Sequence, residues 1–384
     1  MQNDNGVEHI SEWQKIYSDP WLFALVSWLP PLCFLLIYGI FSQGLARDMP
    51  IGIVDLDHSH LSRQMTRYYD ASSTLAVASS YSSPTEGISA LRKGDIYGLI
   101  LMPPNMEKDA ILGHVPQVEA FYNNQFLLMG KLVKSAVIGV HTTVVAQVDV
   151  AKNLSAKTTT IGQAMGAAIP ISTQMTPLFN LNNNYAQFLV SAIIPATWQI
   201  FIVMTSVLCL ALELRRKGLA EWLGVHPLKA LVEKFIPYTF IFWGHGVGFL
   251  VGMFIYLGWP MHGQLGYLIF CQLLTVCACQ IVGALIFFIT KDTARSLGIA
   301  AAYAAPGLAF MGVTFPVTDM TTPAQIWRSL LPVSHYIEIQ IAQTNYGAPL
   351  LLSLPQLQSL SLFIVPAVVV CFFAISTAKA GKEA

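Results

Sequence analysis

Few residues in this chain are of a type and spacing that could do chemistry. The run Ile53-Val54-Asp55-Leu56-Asp57-His58-Ser59 is an apolar strand pattern closed by Asp-x-Asp-x-Ser. Its two carboxylates, Asp55 and Asp57, are its candidate reactive groups. His58 and His60 flank them and could hold a metal with either Asp. His245, in Trp243-Gly244-His245-Gly246, is the one ionisable group deep in an apolar stretch, where such groups serve as proton relays. Cys277 and Cys279 are two apart, which on a helix puts them on different faces, so they read as small packing residues and not as a metal site. The phosphate-cradling pattern G-x-x-x-x-G-K-[ST] does not occur.

The Asp55 to Ser59 stretch resembles the nucleophile strand of haloacid-dehalogenase phosphatases. That chemistry also needs a magnesium-binding acidic pair and a Lys on later strand ends. No later acidic pair stands on a strand end here. The reading preferred from the residues is a strand-to-helix turn whose Asp and Ser side chains satisfy backbone donors. No catalytic residue and no metal site is assigned.

The elements that carry these residues are set by hydropathy. Charged residues make up 11% of the chain, hydrophobic residues 54%, and mean hydropathy is +0.55. The net charge of zero gives no electrostatic case for nucleic acid. About 20 consecutive apolar residues cross a bilayer as a helix. Such stretches fall at 21–41, 187–212, 235–257, 265–290, 296–315 and 357–378. Pro306 and Gly307 interrupt the fifth. Residues 321–346 are too polar for a span and too apolar for a plain loop. They read as two short helices, divided at Pro332, that re-enter the outer face. The fold class expected is an α-helical integral membrane protein of about six transmembrane helices with an inserted periplasmic α/β domain.

Lys and Arg in short loops orient the spans. Arg215, Arg216, Lys217, Lys229 and Lys234 fall between spans two and three, Lys291 and Arg295 between four and five, and Lys379 and Lys382 after six. The expected layout is a cytoplasmic interfacial helix (1–20), span one (21–41), a periplasmic domain (46–186), spans two to six (187–378) and a cytoplasmic tail (379–384). A coupling loop (213–234) and a re-entrant segment (321–346) lie within the last five spans. Residues 21–41 read as an uncleaved anchor, because the apolar core is long for a signal peptide and lacks a small-residue cleavage site. Ile10, Trp13, Ile16 and Tyr17 recur at helical spacing ahead of it.

Within 46–150, strands are expected at 50–56, 74–78, 96–102 and 118–122. Helices are expected at 60–69, 84–92 and from Asn105 to Leu112, with a long one at 126–153. Ser59 is placed to cap the first helix. Pro84 can open the second and Gly94 end it. Residues 158–184 read as a Gly-, Thr- and Asn-rich return to the membrane. The domain has no cysteine.

The loop after span two is the most distinctive stretch. It runs Glu213-Leu214-Arg215-Arg216-Lys217-Gly218-Leu219-Ala220-Glu221-Trp222-Leu223-Gly224-Val225-His226-Pro227-Leu228, then Glu233-Lys234-Phe235. Three cations sit where a helix dipole favours them, and Gly218 stops the helix. Glu221 to Gly224 can form a short amphipathic segment, with Trp222, Leu223 and Val225 exposed to a partner. The loop resembles that of type-2 ABC transporter permeases, with Leu219 where Thr is usual and Glu233 where Gly is usual. Gly94-Asp95-Ile96-Tyr97-Gly98, Pro103-Pro104-Asn105, Phe315-Pro316, Leu330-Leu331-Pro332-Val333-Ser334-His335-Tyr336 and Tyr346-Gly347 resemble further signatures of that family.

The resemblance implies a permease subunit of an ATP-driven exporter in a bacterial inner membrane. A separate ATPase subunit would carry the ATP and Mg, and this chain would bind no cofactor. Docking on the ATPase falls to Glu213, Arg215, Arg216, Gly218, Glu221, Trp222, Leu223 and Pro227. A second permease chain, identical or a paralogue, completes the pore, and a periplasmic adaptor is a candidate partner. In that family spans two and five line the pore. Here these carry Gln199, Phe201, Met204 and Thr205, then Phe310, Met311 and Phe315. Pro316 and Pro332 join Phe310 and Met311 at an outer gate. A path of this composition suits hydrophobic or amphipathic, drug-like cargo. Export of lipid or polysaccharide by the same mechanism is the alternative. A proton-coupled secondary transporter is disfavoured, because the span interiors hold almost no carboxylate and His245 reads as hydrogen-bonded within the bundle.

Overall fold

The computed structural model describes residues 11–44, 47–156 and 184–383, with Thr160, Met165 and Phe179 between the last two stretches. The expected return segment at 158–184 therefore lies almost wholly outside the described residues. The chain divides into two compact units, Met1–Gly44 with Pro177–Ala384, and Leu45–Thr176.

The first unit is helical. It opens with α1 (Glu12–Ser18), where Ser11 and Gln14 form a reciprocal capping box. Next come α2 (Pro20–Val26) and α3 (Leu29–Phe41), bent by 50° at the break between them. The sequence reads 21–41 as one span, and the bend has a visible cause. Pro30 and Pro31 carry no N–H, so Val26 and Ser27 lose their helical partners and a new helix must start.

The second unit interrupts this helical one in sequence. Its strands are β1 (Met49–Asp55), β2 (Leu75–Ser80), β3 (Gly98–Met102) and β4 (Glu119–Tyr122). Between and after them run α4 (His60–Asp70), α5 (Pro84–Lys93), α6 (Met106–Leu112) and α7 (Leu127–Ala156). The sheet order is β2-β1-β3-β4, with β1 parallel to β2 and β3, and β4 antiparallel to β3. β1 is central and covered on both faces, which is why its run is apolar without alternation. Met65, Tyr69, Val133, Val137 and Val144 from α4 and α7 pack on one face, and Ala90 from α5 on the other. Gly52 cannot be larger: a Cβ there would lie 2.5 Å from the Tyr81 ring and 2.8 Å from Ile96. Ser59 and Ser83 accept from the N–H groups of Ser62 and Glu86, which fixes where α4 and α5 begin.

The helical unit resumes with α8 (Tyr185–Arg216), α9 (Leu219–Leu223) and α10 (Pro227–Leu250), the last prolonged by a π-helical turn over Val251–Tyr256. Then come α11 (Leu265–Thr290), α12 (Thr293–Ala304), α13 (Gly307–Phe310), α14 (Thr322–Ser329), α15 (Pro332–Thr344), α16 (Leu354–Ser361) and α17 (Ile364–Glu383). α8 is central: Trp198, Ile202, Val203, Val207 and Cys209 along it are fully buried. α15 buries Ser334, His335, Gln340, Gln343 and Thr344, so its polarity faces the protein.

Among the described residues, five helices are long and apolar enough to cross a membrane, or six if the bent pair counts as one span. The set differs from the one read in the sequence. The fifth stretch, 296–315, is not a continuous helix: it breaks into α12 and α13 at Pro306, where the N–H that Ala302 would accept from is missing. In its place Leu128–Leu154 is long and apolar enough to cross a membrane. That helix belongs to the sheet unit and lays Val133, Val137 and Val144 on the sheet.

Candidate functional site

The loop between α8 and α10 is built on a buried cluster of charges. Lys234 Nζ lies 2.5 Å from Glu213 Oε1 and 2.8 Å from Glu12 Oε2. Lys15 Nζ lies 2.7 Å from Glu12 Oε1 and 2.8 Å from the same Glu213 oxygen. The Glu213 and Lys234 side chains are only 3% and 1% exposed. Two cations and two carboxylates therefore close a neutral ring joining α1, α8 and α10. Burial works against the Lys15 charge, yet hydrogen bonds and attraction from Glu12 and Glu213 outweigh it and hold its pKa above 10.5. Beside the ring, Asp19 pairs with Arg215 at 3.2 Å and accepts from the N–H groups of Trp21 and Leu22. One carboxylate thus caps α2 and ties it to the loop.

Past the ring the chain turns at Gly218, whose φ of 79° favours glycine. The short α9 follows and ends at Gly224, φ 54°. Leu219 and Leu223 point inward and are buried, and α9 packs on α17. Trp222 is half-buried against the same core. Two expectations for this loop are therefore corrected. Glu213 is sealed in the ion ring and Leu223 under the helix, so neither side chain can form the outer surface. The exposed residues are Arg215, Arg216, Lys217 and Glu221, with Gly218 and Pro227 half-buried beside them.

Val225, expected to be exposed, is 72% exposed. The sequence reading missed the rest of this face, where Leu228, Val232 and Ile236 stand exposed along α10. Their i, i+4, i+8 spacing is the signal that could have found them. Lys229 and Glu233 pair beside this stripe at 3.7 Å. Val225, His226, Leu228 and Lys229, with Ile375 from α17, line a groove of about 550 Å³.

The expected pathway residues do not form one lining. Gln199 is fully buried, and its Oε1 accepts from the Val333 N–H at 3.0 Å, capping the start of α15 beside buried Pro332. Met311 is buried in a cluster with Ala192, Ala196, Leu331, Val333 and Ile337, and Phe310 packs against it near Trp327. Gln199, Met311 and Pro332 thus meet at a packed junction. Met204 is half-buried elsewhere on α8, and Phe315 and Pro316 are exposed. The expectation that His245 is hydrogen-bonded also fails: its Nδ1 is buried and, among the described residues, has no partner. It borders a cavity of about 400 Å³ beside Phe34, Tyr38 and the bare Gly244, Gly248 and Gly252.

At the Asp-x-Asp turn the carboxylates are occupied. Asp55 accepts from the N–H groups of Asp57 and His58 and from the Ser62 hydroxyl at 2.7 Å. Asp57 accepts from the Glu107 N–H, and Glu107 from the His60 N–H. Among the described residues no three His, Cys, Asp or Glu side chains are grouped to hold a metal. The six cysteines are free.

The long apolar helices are those of a multi-pass membrane protein. The family model for the ABC-2 family transporter protein matches residues 20–376. The chain belongs to that family and is a transporter permease. No curated protein and no solved structure gives a significant match.

Proposed function

We propose that the chain is the permease half of an ATP-driven exporter that moves hydrophobic or amphipathic compounds out across a bacterial inner membrane. Family membership implies an ATPase partner and a paired permease. ATP and Mg²⁺ belong on the ATPase. The observation that carries the reading is the exposed face on either side of Gly218. Arg215, Arg216, Lys217 and Glu221 lie near exposed Val225 and Leu228 in the chain, over a base held by buried Glu213 and Lys234 and half-buried Glu12 and Lys15. A rigid base with an amphipathic outer face is what a docking element needs to pass a push to the helices it joins. The basic loops at 215–217, 291–295 and 379–382 support cytoplasmic termini and a periplasmic unit 45–176.

The test is recovery of the tagged chain from its native membrane in mild detergent, with stoichiometry by mass spectrometry. A Walker-motif ATPase in equal amount is expected. The pair Val225→Asp and Leu228→Asp should lower that recovery by more than about tenfold. Folded chain recovered with no ATPase would overturn the reading. One observation favours a proton-coupled second reading: the buried, unpartnered Nδ1 of His245. His245→Asn should abolish transport under that reading and leave ATP-driven export intact under the first.

A further inference from the structure

The sheet unit holds a cavity that neither its fold nor the docking face explains. It has a volume of about 340 Å³ and lies between α4, α6, the turn after α6, and α7. Ligand pockets of such size are apolar with a few convergent polar groups. Here Met65, Met106, Ala110, Val144 and Val148 make the wall. His141, hydrogen-bonded to the fully buried Tyr69 hydroxyl, also lines it. Two thioethers beside an imidazole form a polarizable wall, and methionine sulfur packs well against aromatic rings.

The remaining lining groups decide the charge of the occupant. His114 lies 3.6 Å from Asp109, which compensates any positive charge His114 carries. Lys152 is already engaged in an interaction. Asp149 lines the cavity half-buried, and among the described residues no hydrogen bond or ion pair engages its carboxylate. A half-buried aspartate beside an apolar wall favours a cation that brings its own apolar body.

We propose that this cavity binds a compact aromatic molecule bearing a basic nitrogen. The ring packs between Met65, Met106 and Val144, and the nitrogen faces Asp149. The inference rests on the exporter reading and names a cargo class for it, bound on the sheet unit.

The test uses the full chain in lipid nanodiscs, with Val145→Cys placed on the exposed part of the lining. Every native cysteine lies in the helical unit, so peptide mass spectrometry can read alkylation at position 145 alone. The probes are 9-aminoacridine, which is cationic, and acridine-9-carboxylate, its anionic counterpart. 9-Aminoacridine should slow alkylation at least about fivefold, while the carboxylate leaves it unchanged. Adding Asp149→Asn, a substitution that spares the packing, should weaken the half-protecting concentration about tenfold. Filling the cavity with Ala110→Phe or Val148→Phe should remove the protection. Equal protection by both acridines, or protection that survives both filling substitutions, would overturn the proposal. The same preparation without the new cysteine is assayed for ATPase recovery. If the ATPase is recovered but position 145 is unprotected, the site is refuted and the exporter reading stands. If position 145 is protected but no ATPase is recovered, the exporter reading fails.

Discussion

The two units handle buried polarity in opposite ways. The helical unit buries Glu213, Lys234, Arg328 and His335, and the amides Gln199, Gln272, Gln280, Gln340 and Gln343. The sheet unit buries Ser62, and its Asp55 and Asp57 sit at a turn, where they hold backbone N–H groups. In the helical unit the buried polar groups lock one helix to another. Gln272 donates to the Gly246 carbonyl at 3.0 Å and to the Tyr336 hydroxyl, and the Trp198 indole donates to the Phe242 carbonyl. Apolar contacts alone discriminate poorly among helix registers, because lipid is as apolar as leucine. The sheet unit sets its register by strand pairing, with the Tyr69–His141 bond between α4 and α7 beside it. Removing one polar partner should therefore cost far more in the helical unit than in the sheet unit.

The largest effect is expected at the ion ring. Lys234→Met leaves Glu213 and Glu12 facing only Lys15, and breaking a buried pair costs about 3–5 kcal/mol. Thermal unfolding in detergent should show a large loss, partly restored by adding Glu213→Gln. A loss below about 1 kcal/mol would place the ring in the class of solvent-screened pairs. Gln199→Leu comes next. It strips the buried Val333 N–H of its acceptor, for about 1–3 kcal/mol, and should loosen the start of α15 in hydrogen exchange. In the sheet unit Ser83→Ala should cost only about 1 kcal/mol through the lost cap of α5. If Ser83→Ala matched Lys234→Met, the contrast between the units would collapse.

What could be read in the sequence follows the same division. The starts of α4 and α5 are written locally, in Ser59, Ser83 and Pro84, and the end of α5 in Gly94, which takes φ of 83°. Hydropathy marks α8, α10 and α11 because their length and apolarity are local as well. It does not mark where helices break. Pro306 and the Pro30-Pro31 pair stand in the sequence, but a membrane helix can tolerate proline, so the residue type alone leaves break and kink undecided. Nor can hydropathy say that Leu128–Leu154 lies on a sheet, since an apolar face looks alike whether lipid or strand covers it. The loop after α8 was legible in its cations and glycines. It was illegible in Glu213, whose partners are 21 and 198 residues away in sequence.

The smallest expected effect tests the ring at the more exposed of its two cations. Lys15 is 14% exposed, and its pairs with Glu12 and Glu213 raise its pKa above 10.5. A cation whose folded value is raised contributes stability that is fully present below its unfolded pKa. That contribution fades as pH rises through the folded value. Lys15→Met should therefore lower stability by a constant amount, of about 1 kcal/mol or less after solvent screening, up to pH of about 10.5. Above that the wild type should converge on the variant as its own Lys15 loses its proton. Melting curves of both proteins across the alkaline range read this directly. Convergence already near pH of about 8 would mean that the group titrating there is not Lys15, since an unperturbed lysine holds its proton to about 10.4. The ring would then owe its cohesion to Lys234 alone, and α1 would rest on the bundle through Ile16 and the Asp19–Arg215 pair.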